Sequence, residues 1–559
     1  MSSAKAADRL IYLPLGGAGE IGMNAYVYGY GKPGKERLIV VDLGVTFPDM
    51  DTTPGVDLIL PDISWLVERK AQIEGIFITH AHEDHVGAIG HFWESLGAPV
   101  FARPFTANIA RRKLSEHGHP EGVVTVVDVY PQVIDCGPFK VSYLPISHSI
   151  PESAGLLIDT PEGRVLHSGD FKIDLTPGVG DPFNHALWEE VSKDGVKALV
   201  CDSTNVFSPE EGRSEATIAE PIAELMKDAT GMVVATTFAS NIARLRTLAQ
   251  AAVVAGRTVC LLGRSMKRMT EAAVETGLLT DFPATIGPEE ALDVPREKLM
   301  LLVTGSQGER RAASAQLANG KYLGLSLKDG DTFLFSSKTI PGNERGVIRI
   351  MNQLSEAGVD VIDDAGGKYH VSGHANRPDL VTLHQMVKPQ ILIPMHGEHR
   401  HLREHVKLGK AGGLAGIVAV NGMMLDLSGN EPRVTEYIET GRTYLDGSVK
   451  VGQFDGIVRD RIRMALNGQI VITLIIDEND EALGDPWCEI LGLAETGKSN
   501  ASLIEVLEED LGQFLGRANK KTLRDDVKLE KELKTIARRS AQAEIGKKPE
   551  VMVIVSRLS

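Results

Sequence analysis

Thr79-His80-Ala81-His82-Glu83-Asp84-His85 is the stretch on which the fold turns. It follows the apolar run Gly75-Ile76-Phe77-Ile78, so four potential metal ligands (His80, His82, Asp84 and His85) leave the end of a predicted strand and enter a loop. A single histidine most often satisfies a core hydrogen bond. Three imidazoles and a carboxylate packed this closely leave donors unpaired unless a metal collects them. Imidazole with carboxylate and no thiolate suits Zn²⁺ or Mn²⁺ in an open, catalytic site rather than a closed cysteine-rich structural one.

Working outward, Asp42 ends the strand-like run Leu38-Ile39-Val40-Val41, and His148 lies in Ile146-Ser147-His148-Ser149 after a second such run, 141–144. Asp170 lies in His167-Ser168-Gly169-Asp170 and His396 in Ile393-Pro394-Met395-His396-Gly397. With the H-x-H-x-D-H loop, and in this order, these pieces resemble the metallo-β-lactamase superfamily. The resemblance implies an α/β fold, an αββα sandwich. It also implies that His80, His82 and His148 hold one metal, that Asp84, His85 and His396 hold the other, and that Asp170 bridges them, with Asp42 orienting ligands from behind.

Residues 171–395 are far more than one strand and helix need to bring the last ligand back, so a domain is inserted there. Its runs Met232-Val233-Val234-Ala235-Thr236, Thr258-Val259-Cys260-Leu261-Leu262 and Thr332-Phe333-Leu334-Phe335 predict a parallel αβα unit. A lid of that size suits a polymeric substrate better than a small metabolite. Five segments sharpen the resemblance to the β-CASP nucleases and, within them, the bacterial ribonuclease J family: Cys201-Asp202-Ser203-Thr204-Asn205, Thr237-Phe238-Ala239-Ser240-Asn241, Thr304-Gly305-Ser306-Gln307-Gly308-Glu309, Ser336-Ser337-Lys338-Thr339-Ile340-Pro341-Gly342-Asn343-Glu344 and His370-Val371-Ser372-Gly373-His374-Ala375. Arg310, where relatives commonly carry proline, and Lys338, inside a serine-rich run, depart from the pattern.

The resemblance implies a metal-dependent ribonuclease, 5′-to-3′ exonucleolytic and also endonucleolytic, serving mRNA decay and rRNA maturation. Its cofactors would be two Zn²⁺ ions, with Mn²⁺ an alternative, and its partner single-stranded RNA. His374 would be the general acid with Asp202 orienting it, Asp84 completing the catalytic set. Ser240, Asn241, Ser306, Gln307, His370, Val371, Ser372, Gly373 and His374 resemble the family's substrate-binding positions. A DNA-directed nuclease of the same group, a small-molecule hydrolase and a catalytically silent RNA-binding scaffold are the alternatives.

Composition agrees with a large globular chain: 559 residues, 43% of them hydrophobic. The lack of a long apolar run or signal-like N-terminus predicts no membrane association and a cytoplasmic location. Cys136, Cys201, Cys260 and Cys488 stand far apart, with neither disulfide nor cysteine-zinc spacing. A net charge of −16 weighs against nucleic acid, although metal ions and the basic stretch 517–548 offset it locally. The expected organisation is a first metallo-β-lactamase part over residues 1–205, the β-CASP insertion over 206–350, a second metallo-β-lactamase part over 351–430, a linker over 431–449 and a small α+β domain over 450–559. In that last domain Gly492-Leu493-Ala494-Glu495-Thr496-Gly497-Lys498-Ser499 satisfies the phosphate-loop pattern but lacks a parallel-sheet context, so no nucleoside triphosphate is expected. Leu529, Leu533 and Ile536 stripe a basic helix there, and by resemblance the domain supports a homo-dimer or homo-tetramer. Asp49, Asp51 and Asp446 are a candidate hard-cation site for Ca²⁺ or Mg²⁺.

Overall fold

Strand-forming runs rich in valine, isoleucine and tyrosine build two large sheets whose inner faces share one core. The computed structural model describes residues 7–364 and 366–558. The first sheet has eight strands, in spatial order Arg433–Tyr437, Met423–Asp426, Arg9–Gly16, Ala25–Gly31, Arg37–Val41, Ile73–Phe77, Val100–Ala102 and Val124–Val126. The second has seven, running Ala415–Gly416, Ile391–Met395, Ala198–Asp202, Gly163–His167, Ala154–Thr160, Phe139–Pro145 and Ile134–Cys136. Alternation along each strand sends Tyr12, Tyr28, Ile39 and Phe77 from one sheet against Tyr143, Ile158, Val200 and Ile393 from the other, all fully buried. The far face of the second sheet is covered by helices, with Trp188, Leu380 and Leu383 buried against Leu166, Leu199 and Leu392. This is the αββα sandwich expected from the sequence.

Strand direction positions the site. Gly163–His167, Ala198–Asp202 and Ile391–Met395 pair in parallel, and Phe139–Pro145, two antiparallel pairings away, runs the same way. Arg37–Val41 and Ile73–Phe77 are likewise parallel in the first sheet. The last residues of these six strands and the turns after them carry His148, Asp170, Asp202, His396, Asp42 and the metal loop.

The insertion is a six-stranded, wholly parallel sheet in the order Thr285–Ile286, Thr258–Leu262, Leu299–Val303, Val233–Thr236, Thr332–Phe335 and Asp360–Ile362. Its central strands are buried on both faces, as a parallel sheet flanked by helices requires. It reaches Ile362, beyond the expected boundary at residue 350, because Asp360–Ile362 completes the edge of the sheet.

The chain forms two compact units, one taking in residues up to Thr46 and Leu60–Gly441, the other Phe47–Ile59 and residues from Arg442 on. Two expectations are corrected. The stretch 431–449 is not a bare linker: Arg433–Tyr437 pairs with Met423–Asp426, and Arg442–Asp446 forms a hairpin with Val449–Gly452. Residues 47–59, expected within the first domain, group with the second unit, where the Asp57 N–H donates to the Leu445 carbonyl and the Asp57 carboxylate accepts from the Gly447 N–H.

The second unit contains a three-stranded sheet, Trp487–Leu491, Gln469–Ile476 and Glu550–Arg557, with the last two in parallel register. Its inner face packs on Leu503–Leu515 and Asp526–Ile545, so Leu529, Leu533 and Ile536 are buried inside this unit rather than left for a partner. The outer face is bare: Trp487, Leu491, Met552 and Ile554 are exposed. In the phosphate-loop-like stretch, the Ser499 N–H and hydroxyl donate to the Glu544 carboxylate, so an acid already occupies donors that a phosphate would use. Among the described residues no helix is long and apolar enough to cross a membrane, and all four cysteines are free and buried.

Candidate metal centre

Backbone bonds from the turn of the first hairpin and from the segment after Arg37–Val41 hold the metal loop, and the hairpin turn also holds His396. The Asn24 N–H donates to the Asp84 carbonyl at 2.9 Å, Leu43 N–H to the His85 carbonyl at 2.7 Å, and the His396 N–H to the Gly17 carbonyl at 2.7 Å. Gly44 must be glycine, since a Cβ there would lie 1.7 Å from the Asp84 carbonyl oxygen. Asp42 and His396, each closing a strand, adopt left-handed backbone at φ 64° and 48°, a local strain of about 1–3 kcal/mol apiece that the packed loops sustain.

Two groups of donor atoms result. His80, His82 and His148 form one, and Asp84, His85, Asp170 and His396 the other, each with its donor atoms within 4.8 Å of one another. Nδ1 of His82 faces Nε2 of His80 and Nε2 of His148, both at 3.1 Å. Oδ2 of Asp170 lies between the groups, 3.1 Å from His85 Nε2, 3.4 Å from His396 Nε2 and 3.9 Å from Nε2 of both His80 and His148. Asp84 Oδ2 is 3.6 Å from His85 Nε2 and 3.7 Å from His396 Nε2.

The outward nitrogen of every imidazole has its own partner, which aims the inward one at the centre; burial opposes the charge of His85, but the Asp170, Asp84 and Asp42 carboxylates prevail and hold it well above the usual histidine range. His85 Nδ1–H donates to Asp42 at 2.7 Å, and His396 Nδ1–H to the Asn24 side-chain carbonyl at 2.9 Å. His148 Nδ1–H donates to the Gly373 carbonyl at 2.5 Å, and His80 Nδ1–H to the Thr79 hydroxyl at 3.0 Å, whose own proton goes to Asp42. Burial, reinforced by neighbouring imidazoles, holds His80 and His148 well below the usual histidine range, and burial pulls His82 down to about 4 against the Asp84 carboxylate. Neutral imidazole is the ligand form. The second oxygen of the buried Asp170 has no hydrogen-bond partner at all. Converging imidazole nitrogens and an orphaned carboxylate oxygen fit divalent cations.

His374 stands against this centre, its ring 5.0 Å from His148 and stacked 5.5 Å from His396. Its Nδ1 donates to Asp202 at 2.8 Å. Burial opposes its charge, but the Asp202 carboxylate, with Asp170 and Asp84 behind it, prevails and holds the imidazole up at about 9. Asn205 clamps the loop that carries His374, donating to the Ser372 hydroxyl at 2.8 Å and the His374 carbonyl at 3.2 Å. Gly373 allows the close pass, for a Cβ would sit 2.6 Å from the Ser149 hydroxyl.

The fold distributes the other candidates unevenly. His370 Nδ1 accepts from Arg244 at 3.1 Å, so its Nε2 carries the proton. The Ser240 hydroxyl lies 3.1 Å from His82 Nε2. Asn241 caps the helix Ile242–Val254, its side-chain oxygen accepting from the Arg244 N–H. Gln307 ties two loops together, accepting from Ile340 N–H and donating to the Lys338 carbonyl, while Ser306 and Val371 are buried. Asp49 caps its own turn through the N–H groups of Asp51 and Thr52, and Asp446 pairs with Arg461 at 2.6 Å. Those three aspartates are not gathered into a ligand group. Cys201, His384 and His405 do lie together, but His384 and His405 share a hydrogen bond at 3.0 Å and His405 Nδ1 bonds Ser203, leaving no nitrogen open between them.

Residues 19–203 match the metallo-beta-lactamase superfamily, 230–354 the ribonuclease J beta-CASP domain, 367–419 the Zn-dependent metallo-hydrolase RNA specificity domain and 456–558 the ribonuclease J C-terminal domain. Ribonuclease J of Sinorhizobium meliloti is 40% identical over 557 residues, covering 99% of this chain and 98% of that protein. Ribonuclease J of Corynebacterium glutamicum is 35% identical over 90% of this chain and 70% of its own length, and ribonuclease J 1 of Streptococcus pyogenes 33% over 84% and 83%. A crystal structure of a protein of unknown function from Enterococcus faecalis shares the fold, with TM-score 0.52 and 16% identity over 75% of this chain and 100% of that one. A likeness that runs nearly the whole length of the chain, through the metal loop, the inserted parallel sheet and the terminal sheet alike, means that the chain belongs to the ribonuclease J family.

Proposed function

We propose that this protein is a metal-dependent ribonuclease that degrades single-stranded RNA from the 5′ end and also cuts it internally, working in the cytoplasm in mRNA decay and rRNA maturation. The observation that carries the reading is His374, hydrogen-bonded to Asp202, edge-on to His148 of one donor group and stacked on His396 of the other.

Two Zn²⁺ ions, or Mn²⁺, would be held by His80, His82 and His148 and by Asp84, His85 and His396, with Asp170 common to both. When bound they supply Lewis-acid charge that activates water and neutralises the phosphodiester. The residues of the chain do the rest. Asp42, Thr79 and Asn24 keep the imidazoles in ligand orientation. Water attacks phosphorus, the bond to the 3′-oxygen breaks, and His374 Nε2–H delivers the proton that oxygen needs, while Asp202 holds the ring and stabilises its charged form. The products are a 5′-phosphate and a 3′-hydroxyl. The neutral donors His370 and Ser372, on the same loop as His374, suit a terminal monophosphate better than a triphosphate, whose added charge would call for further cations.

The bare apolar face of the terminal sheet, with Trp487, Leu491, Met552 and Ile554, supports assembly into a homo-dimer or homo-tetramer. Matched RNAs bearing 5′-monophosphate or 5′-triphosphate, and a DNA of the same sequence, test the whole reading with and without chelator. Mononucleotides should come fastest from the monophosphorylated RNA and stop in chelator. Undiminished cleavage in chelator would end the metal assignment, equal rates on both RNAs the 5′-pocket, and equal cleavage of DNA the RNA preference.

A further inference from the structure

Ser240 sits on the turn after the strand Val233–Thr236 of the inserted sheet, yet its hydroxyl reaches Nε2 of His82 in the metal loop at 3.1 Å. The direction of that hydrogen bond follows from its neighbours. His80 and His148 donate their Nδ1 protons to Thr79 and Gly373, so both present bare Nε2 atoms to His82 Nδ1 at 3.1 Å. With a divalent cation on the three nitrogens, His82 Nδ1 must also be bare, and its single proton resides on Nε2. That N–H then donates to Ser240, whose own proton is left free. Among the described residues no side chain accepts it, and Ser240 is only half-buried.

Without the cation the preference reverses. Two facing lone pairs draw the His82 proton to Nδ1, Nε2 becomes an acceptor, and Ser240 donates to it. The imidazole stays neutral throughout, so this is a change of tautomer and not of charge.

We propose that Ser240 is a positioning residue that couples metal occupancy to phosphate binding: its O–H is turned onto His82 in the metal-free centre and released to a phosphate oxygen of the RNA when the cation binds. The proposal rests on the metal-dependent reading above. It makes the two bindings reciprocal, since whatever strengthens one through this hydroxyl must strengthen the other by the same factor. It also explains why the hydroxyl comes from the inserted domain: that domain then helps to complete the metal centre as well as to cover it.

The test measures binding, not turnover. Full-length wild type, Ser240→Ala and Ser240→Thr are titrated with Zn²⁺ and with Mn²⁺ against a competing chelator, with His80→Ala identifying the ions that belong to the centre. Each protein is then titrated with a 5′-monophosphorylated, 2′-O-methylated oligoribonucleotide, in chelator and in saturating metal. Ser240→Ala should bind metal about tenfold to a hundredfold more weakly, as loss of a partner behind a ligand imidazole does. The factor by which metal tightens RNA should shrink in Ser240→Ala by about tenfold, the contribution of one hydrogen bond to a charged group, and persist in Ser240→Thr. An equal metal-induced factor in wild type and Ser240→Ala overturns the coupling. Absence of any His80-dependent ion would instead overturn the metal-dependent function, and the coupling with it.

Discussion

Replacing Arg244 with methionine should destabilise the inserted domain by about 3–5 kcal/mol, the usual result of breaking a buried ion pair. The magnitude follows from what the guanidinium holds. Arg244 is fully buried; Nε and Nη2 reach the Glu215 carboxylate at 2.6 and 3.0 Å, and Nη1 donates to the Ser336 carbonyl at 2.7 Å and to His370 Nδ1 at 3.1 Å. Removing it strands the Glu215 carboxylate, itself only 5% exposed, without its counter-charge. A loss of that size is a large part of the roughly 5–15 kcal/mol that holds a domain folded. Replacing both Arg244 and Glu215 with methionine should recover most of it, because no uncompensated charge then remains. Hydrogen exchange of the strands Val233–Thr236 and Thr332–Phe335, read beside urea unfolding, measures the effect where it arises. His370, released from its fixed tautomer, should also lose discrimination between 5′-monophosphate and 5′-triphosphate ends. A single-variant loss below about 1 kcal/mol, the ordinary effect of any substitution, would refute the reasoning, as would a double variant as unstable as the sum of the singles.

His374→Ala should leave metal content unchanged and lower turnover by about 10² or more; metal loss would instead make His374 a ligand beside His148 and Asp170. Burial pulls His384 down to about 4 from the usual 6.5, so below pH 6.5 the unfolded chain takes up a proton that the folded chain refuses. Stability of the metal-free protein should therefore fall between pH 6.5 and about 4, by about 2 kcal/mol from this group by pH 5, with a flatter slope in His384→Gln; an unchanged slope would assign the loss to other groups. Ile554→Asp on the bare sheet face, or removal of residues 450–559, should shift the protein to a smaller species by light scattering, and an unchanged mass would rule that face out as the contact.

The residues that gather into the two donor groups were legible because each lies at the end of a strand-like run and four crowd into one loop, so local spacing carries the signal. Asn24 was not, although it sets the orientation of His396: the two are 372 residues apart, and nothing near Asn24 marks it beyond a glycine-rich turn. Arg244 and the contact between Ser240 and His82 were hidden for the same reason, since only the parallel sheet of the insertion brings them into place. In the terminal strand Glu550–Arg557 the sheet covers one face and leaves Met552 and Ile554 in the open, a distinction that an unbroken apolar run without alternation does not carry. Asp49, Asp51 and Asp446 could be read as ligands or as turn and ion-pair residues, because short acidic side chains near glycine and threonine serve either role. The folded loops decide for the latter.

His374 and His396 come late in the chain, after the whole inserted sheet, while the metal loop comes early. A ribosome therefore releases the first of the grouped donor residues long before the last, and the group around Asp170 stays incomplete until residue 396 has emerged and Ile391–Met395 has docked beside Ala198–Asp202. Through most of its own synthesis the growing chain has only part of these donor groups gathered, while the message that encodes it and the ribosomal RNA lie close by. Topology alone imposes that delay.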